Sequence, residues 1–172
     1  MFFEILKYTI PSLVVFATAY YLLKLYLDDR LRSELAAQRS ESLKITLPLR
    51  LQAYERLTLL CDRAAVQNVL LRIRMPGMTV GELRGALLLA ISQEFDHNTS
   101  QQLYVSDTLW QIISLAKNET LNFVNQTAPD LDSKADSNEL VAALLAALDE
   151  QGYNTMLQKA IIAIRTEAGQ LF

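Results

Sequence analysis

Residues 8–27, YTIPSLVVFATAYYLLKLYL, constrain this chain more than any other segment. Twenty residues in a helix span about 30 Å, the thickness of a bilayer's hydrocarbon core. Lys24 is the one charge in the stretch, close enough to its end for the ammonium to reach the headgroups. Tyr20, Tyr21 and Tyr26 cluster at that end and Tyr8 lies at the other, where interfacial aromatics are expected. Pro11 falls in the first turn, where its missing N–H costs little. The segment therefore reads as a membrane anchor, with residues 1–27 as the anchor domain. A buried core helix would need partner surface on every side, which 172 residues can hardly supply. A cleaved signal peptide is the other rival, because Ala17-Thr18-Ala19 has small-x-small spacing. Against it, Tyr20–Leu27 stay apolar past that site, and the preceding MFFEILK is not clearly basic.

Charge is ordered along the rest of the chain. Residues 28–75 carry nine basic side chains against six acidic, whereas residues 76–172 carry five against twelve. Positive charge thus lies next to the apolar segment, as expected of a region facing anionic headgroups. Arg30, Arg32, Arg39 and Lys44 follow the span, against Lys7 before it, so the positive-inside rule puts the C-terminal part in the cytoplasm. The membrane-interface set is then Tyr20, Tyr21, Lys24, Tyr26, Arg30 and Arg32. The basic excess is too small to call for nucleic acid. One cysteine, Cys61, excludes an internal disulfide and reads as a small buried apolar residue.

Gly and Pro are scarce at five and four residues, and Leu, Ala, Gln and Glu are plentiful, which favours an all-α fold. Leu27, Leu31 and Leu35, followed by Leu43 and Leu47, predict a stalk helix over 28–47; its polar middle does not establish a coiled coil. Pro48 marks a break or a fresh helix start. Residues 48–172 then form a compact cytoplasmic domain of about four or five helices. Leu49 to Ala64 have helical spacing, Val69–Arg74 is a short run compatible with an extended connector, and Met75-Pro76-Gly77-Met78 is a loop. Thr79 and Glu82 make a capping box, before the stripe Val80, Leu83, Leu87, Ile91 and Phe95. Ser106 caps the next helix, whose apolar face carries Leu109, Ile112, Ile113, Ala116, Phe123 and Val124, with Trp110 as core. The acidic loop 128–137 precedes a helix through Leu140, Val141, Leu144, Leu145 and Leu148, which Gly152 ends. A last helix runs from Leu157 to Leu171.

Candidate chemistry is sparse. Glu94, Asp96 and His97 lie together, and two carboxylates beside an imidazole can in principle bind a metal or move a proton. His97 is the only histidine, however, and a helix C-terminus favours an imidazolium without any chemistry. Ser100, Gln101 and Tyr104 lie in a polar stretch that reads either as a recognition loop or, preferably, as a helix connector. Three Asn-x-Thr/Ser matches, at Asn98, Asn118 and Asn125, matter only in a secretory lumen. No P-loop, GxGxxG, HExxH, GxSxG or CxxC pattern is present, and no cofactor is called for.

The segments LPLRLQAYERLTLL (47–60), MPGMT (75–79) and EFDHNTSQQLYVSDTLW (94–110) resemble an uncharacterised family of Bacteroidota membrane proteins. The resemblance implies one N-terminal span, a C-terminal helical domain and a bacterial origin, and it brings no catalytic residue; the expected location is then the bacterial inner membrane. The expected role is a non-catalytic, membrane-anchored interaction or scaffold module, with lipid and either a protein partner or further copies of itself as partners. A third reading makes it an accessory subunit of a membrane complex, its span packed through Ala17, Thr18 and Ala19. The alternative from another class is a small hydrolase-like or metal-binding enzyme using Glu94, Asp96, His97 and Tyr104.

Overall fold

The structure is a computed structural model that describes the backbone of residues 2–151 and 155–171 and the side chains of residues 12–150 and 155–171. The described residues are all-α: six α-helices and one 3-10 helix, with a single isolated bridge, Thr79 to Asp136, in place of any strand. The chain divides into two compact units, Met1–Thr46 and Leu47–Phe172.

The first unit is the leading part of α1 (Phe2–Arg63). Its side chains from Ser12 to Thr46 are exposed, with Leu13 at 70% and Phe16 at 74%. Some of its hydroxyls fold back on the helix: Thr18 Oγ1 donates to the Val14 carbonyl at 2.8 Å, and Ser33 Oγ to that of Arg30 at 2.8 Å. Arg30 Nε donates to the Tyr26 hydroxyl at 3.2 Å, its guanidinium lying 5.8 Å from the ring centroid. Among the described residues no helix is long and apolar enough to cross a membrane. The stretch 8–27 starts ahead of the described side chains, so Tyr8 and Pro11 lie outside them, as does Lys7.

The second unit holds the rest of α1, then α2 (Val66–Ile73), α3 (Val80–His97), the 3-10 helix Thr99–Tyr104, α4 (Asp107–Gln126), α5 (Ser137–Gln151) and α6 (Met156–Gly169). Two expectations change here. α1 does not stop at Pro48 but continues to Arg63. Proline removes one helical hydrogen bond and crowds the preceding turn. Burial of Ala53, Tyr54, Leu57, Leu60 and Cys61 just downstream holds that helix in place. The run Val69–Arg74 is not an extended connector: it is the second half of α2 up to Ile73, with Val66, Val69 and Leu70 buried at helical spacing.

Core residues follow the expected stripes. Val80, Leu83, Leu87, Ile91 and Phe95 are buried on α3, and Leu109, Ile113, Ala116 and Val124 on α4. Leu140 and Leu144 on α5 and Ile164 on α6 complete one cluster, with Trp110 packed at its edge. α3 lies at the centre, against α2, α4 and α5, and α4 packs on α6. Burying a leucine or isoleucine side chain is worth roughly 1.5–3 kcal/mol, so this cluster dominates the unit's stability.

Thr79 caps α3 as expected: its Oγ1 accepts from Glu82 N at 3.3 Å while Glu82 Oε2 accepts from Thr79 N at 2.9 Å. Asp136 caps α5 from one side only, its Oδ1 accepting from Asn138 N at 2.7 Å. The two caps are tied together, Val80 N donating to Ala135 O at 3.0 Å and Ser137 N to Met78 O at 3.1 Å. Gly81 permits this approach, because a Cβ there would meet the Ser133 carbonyl oxygen at 3.2 Å. The expected end of α5 at Gly152 lies outside the described residues.

Candidate functional site

The cluster singled out by sequence sits at the end of α3. Phe95 is buried, and its neighbours Glu94 and Asp96 reach different elements. Glu94 Oε1 accepts from Arg63 Nε at 3.2 Å, Arg63 Nη2 at 3.0 Å and Arg72 Nη1 at 2.8 Å. Arg72 Nη2 also donates to the Arg63 carbonyl at 2.7 Å, so one carboxylate clasps the end of α1 to α2 and α3. Burial alone would raise the Glu94 pKa, but its hydrogen bonds to Arg63 and Arg72 outweigh that and hold it below the usual carboxylate range. A carboxylate kept ionised by two guanidiniums is a weak general acid or base near neutrality.

Asp96 pairs with Lys117 Nζ on α4 at 3.0 Å, and that ammonium lies 5.8 Å from the Phe95 ring centroid. His97 is exposed at the last position of α3. Glu94 and Asp96 therefore do not converge with His97 on one centre. Among the described residues no group of three or more His, Cys, Asp or Glu side chains is placed to hold a metal. Ser100 is exposed in the 3-10 helix, while Gln101 is buried, its Nε2 donating to Ser100 Oγ at 3.3 Å. Tyr104 is exposed, and its contribution is its carbonyl, which accepts from Arg50 Nε at 3.1 Å.

That contact belongs to a network the sequence did not reveal. Arg50 Nη2 donates to the Tyr54 hydroxyl at 2.8 Å, and the Tyr54 hydroxyl donates to Glu167 Oε1 at 3.0 Å. Ser106 donates its backbone N–H to Glu167 Oε1 at 2.9 Å and its hydroxyl to Glu167 Oε2. The same hydroxyl accepts from Leu109 N at 3.1 Å, confirming Ser106 as the N-cap of α4. Burial would raise Glu167, but the two bonds from Ser106, then Tyr54 and Arg50, lower it overall. Tyr54 is pushed up by burial and by Glu167. A groove of about 450 Å³ borders the network, lined also by Thr108, Ile112 and Gln170. Chemically the network is a fastening: it ties α1, the start of α4 and α6 through one glutamate. Sequence separations of 61 and 113 residues left no local signal for it.

Two further features are also long-range. Arg84 on α3 covers the open end of α4, its Nη1 donating to the carbonyls of Val124 at 2.7 Å, Asn125 at 3.0 Å and Thr127 at 3.1 Å. Its Nη2 donates to Ala128 O at 3.0 Å, where the chain turns with a left-handed φ of 48°. A cavity of about 930 Å³ opens between the start of α2, the second half of α4, the end of α5 and the start of α6. Phe123, Leu148 and Met156 mix there with Gln67, Thr120 and Asn122.

No curated protein and no solved structure matches the chain. The chain belongs to a family of unknown function (DUF7935), matched over residues 1–171.

Proposed function

We propose that this protein is a single-pass, membrane-anchored interaction module of a bacterial inner membrane, with residues 8–27 as the span and the helical unit in the cytoplasm. One observation carries the reading. From Leu13 to Leu27 the apolar side chains of α1 are exposed around the helix, including Val15 at 68% and Tyr20 at 63%. A helix that exposes this much apolar surface needs a non-aqueous surrounding, and a bilayer supplies it. The basic excess of residues 28–75 favours the cytoplasmic side for the rest of the chain. The helical unit offers packed helices, fastenings and exposed side chains, which fits binding and scaffolding. An enzyme built on Glu94, Asp96 and His97 is disfavoured by the two arginines that occupy the Glu94 carboxylate.

Orientation is tested with C-terminal reporter fusions in a bacterial host. A fused fluorescent protein is expected to light up and a fused alkaline phosphatase to stay inactive. Active phosphatase would reverse the topology.

A further inference from the structure

We propose that residues 31–45 of α1 form a parallel two-stranded seam with a second copy of this chain. The parallel direction rests on the anchor reading above; the face itself does not. Leu31, Leu35, Gln38, Ser42 and Ile45 follow one another at steps of four, three, four and three residues. These are alternating d and a positions of two heptads, which bring all five onto one side of a helix. All five are exposed, Leu31 at 58%, Leu35 at 64% and Ile45 at 66%.

What selects a second copy over any other apolar partner is the charge beside the seam. With Leu31 at d, the g positions hold Glu34 and Glu41 and the e positions hold Arg32, Arg39 and Thr46. In a parallel pair a g residue meets the e′ residue five further on. Glu34 therefore faces Arg39 of the other copy, and symmetry makes the pair twice. Within its own helix Glu34 makes only a 3.9 Å contact to Arg30, with both side chains more than 60% exposed. The outward f positions are Ser33 and Ser40, small and polar, as a solvated back requires. Gln38 and Ser42 put two polar layers in the middle of the seam. Such layers weaken it but fix register, and they are best tolerated in a two-stranded seam, whose core remains partly wet. Leu43 falls at b and takes no part. Anchoring confines two copies to one plane, so a short seam can pair there that would dissociate in solution.

The test is a cysteine scan of the full-length chain in native membranes, with mild oxidation and a non-reducing gel. The native thiol does not interfere, because Cys61 is 1% exposed and burial pushes its pKa up to about 12. Leu31→Cys, Leu35→Cys, Gln38→Cys, Ser42→Cys and Ile45→Cys are expected to give disulfide-linked dimers. Ser33→Cys and Ser40→Cys are expected to give few. Glu34→Arg or Arg39→Glu is expected to cut the cross-linking of Gln38→Cys by roughly three- to tenfold, and the double exchange to restore it. A flat profile, a maximum on another face, cross-linking confined to position 38 as an antiparallel pair would give, or no rescue by the double exchange would overturn the seam. Fractionation of the same samples separates the two claims. Membrane-bound protein with no periodic cross-linking defeats the seam and leaves the anchor. Soluble protein with the periodic pattern defeats the anchor and upholds the face.

Discussion

Glu94 and Glu167 each hold a half-buried carboxylate against arginine, and both stay ionised below the usual carboxylate range. Their folded pKa values are lowered, so their stabilisation is complete above the ordinary value of 4.5 and is lost as pH falls through the folded values. Thermal melts of the detergent-solubilised chain, followed by circular dichroism, are expected to drop in midpoint below about pH 4.5. Glu167→Gln is expected to cost roughly 1–3 kcal/mol at neutral pH, since it leaves Arg50 without its ionic partner, and to flatten the acid limb. An unchanged acid limb in that variant would show that Glu167 does not carry it. Neither role could be read from the residues alone. Glu94 attracted notice for its nearness to His97, yet its partners Arg63 and Arg72 lie 31 and 22 positions upstream. Glu167 lies in a helix whose sequence advertises only an apolar stripe.

At the scale of elements, what was legible is what is encoded locally. The capping box at Thr79, the N-cap at Ser106 and the buried stripe of α3 each depend on residues three or four apart. What was missed depends on tertiary packing. Pro48 signals a break only if the residues after it do not hold the helix, and Ala53 to Cys61 do. Val69–Arg74 is too short for its period to separate strand from helix, and burial of Val69 and Leu70 decides for helix. The close of α4 is the clearest case. Thr127 itself donates to the Phe123 carbonyl, but the carbonyls of Val124, Asn125 and Thr127 take their donor from Arg84, 40–43 positions away. Arg84→Met is accordingly expected to destabilise by roughly 1–3 kcal/mol, and Ala128→Gly to stabilise by up to about 1 kcal/mol by relieving the left-handed turn. Urea unfolding monitored at Trp110 measures both, and a destabilising Ala128→Gly would contradict the strain assigned to that φ of 48°.

For the whole molecule, two kinds of surface are set on one chain. The unit Leu47–Phe172 buries its leucines and isoleucines in one cluster, whereas residues 12–46 leave theirs outward. A bilayer around 8–27 and a second copy along 31–45 would cover what that helix exposes, and the first of these decides where the protein resides. The most direct measurement is alkaline carbonate extraction of membranes from cells making the full chain. The intact protein is expected in the pellet with integral membrane proteins, and Val15→Asp combined with Leu22→Asp is expected to release it, since each buried aspartate costs about 2.5–3.5 kcal/mol at a span's centre. Release of the intact chain into the alkaline supernatant would contradict the anchor.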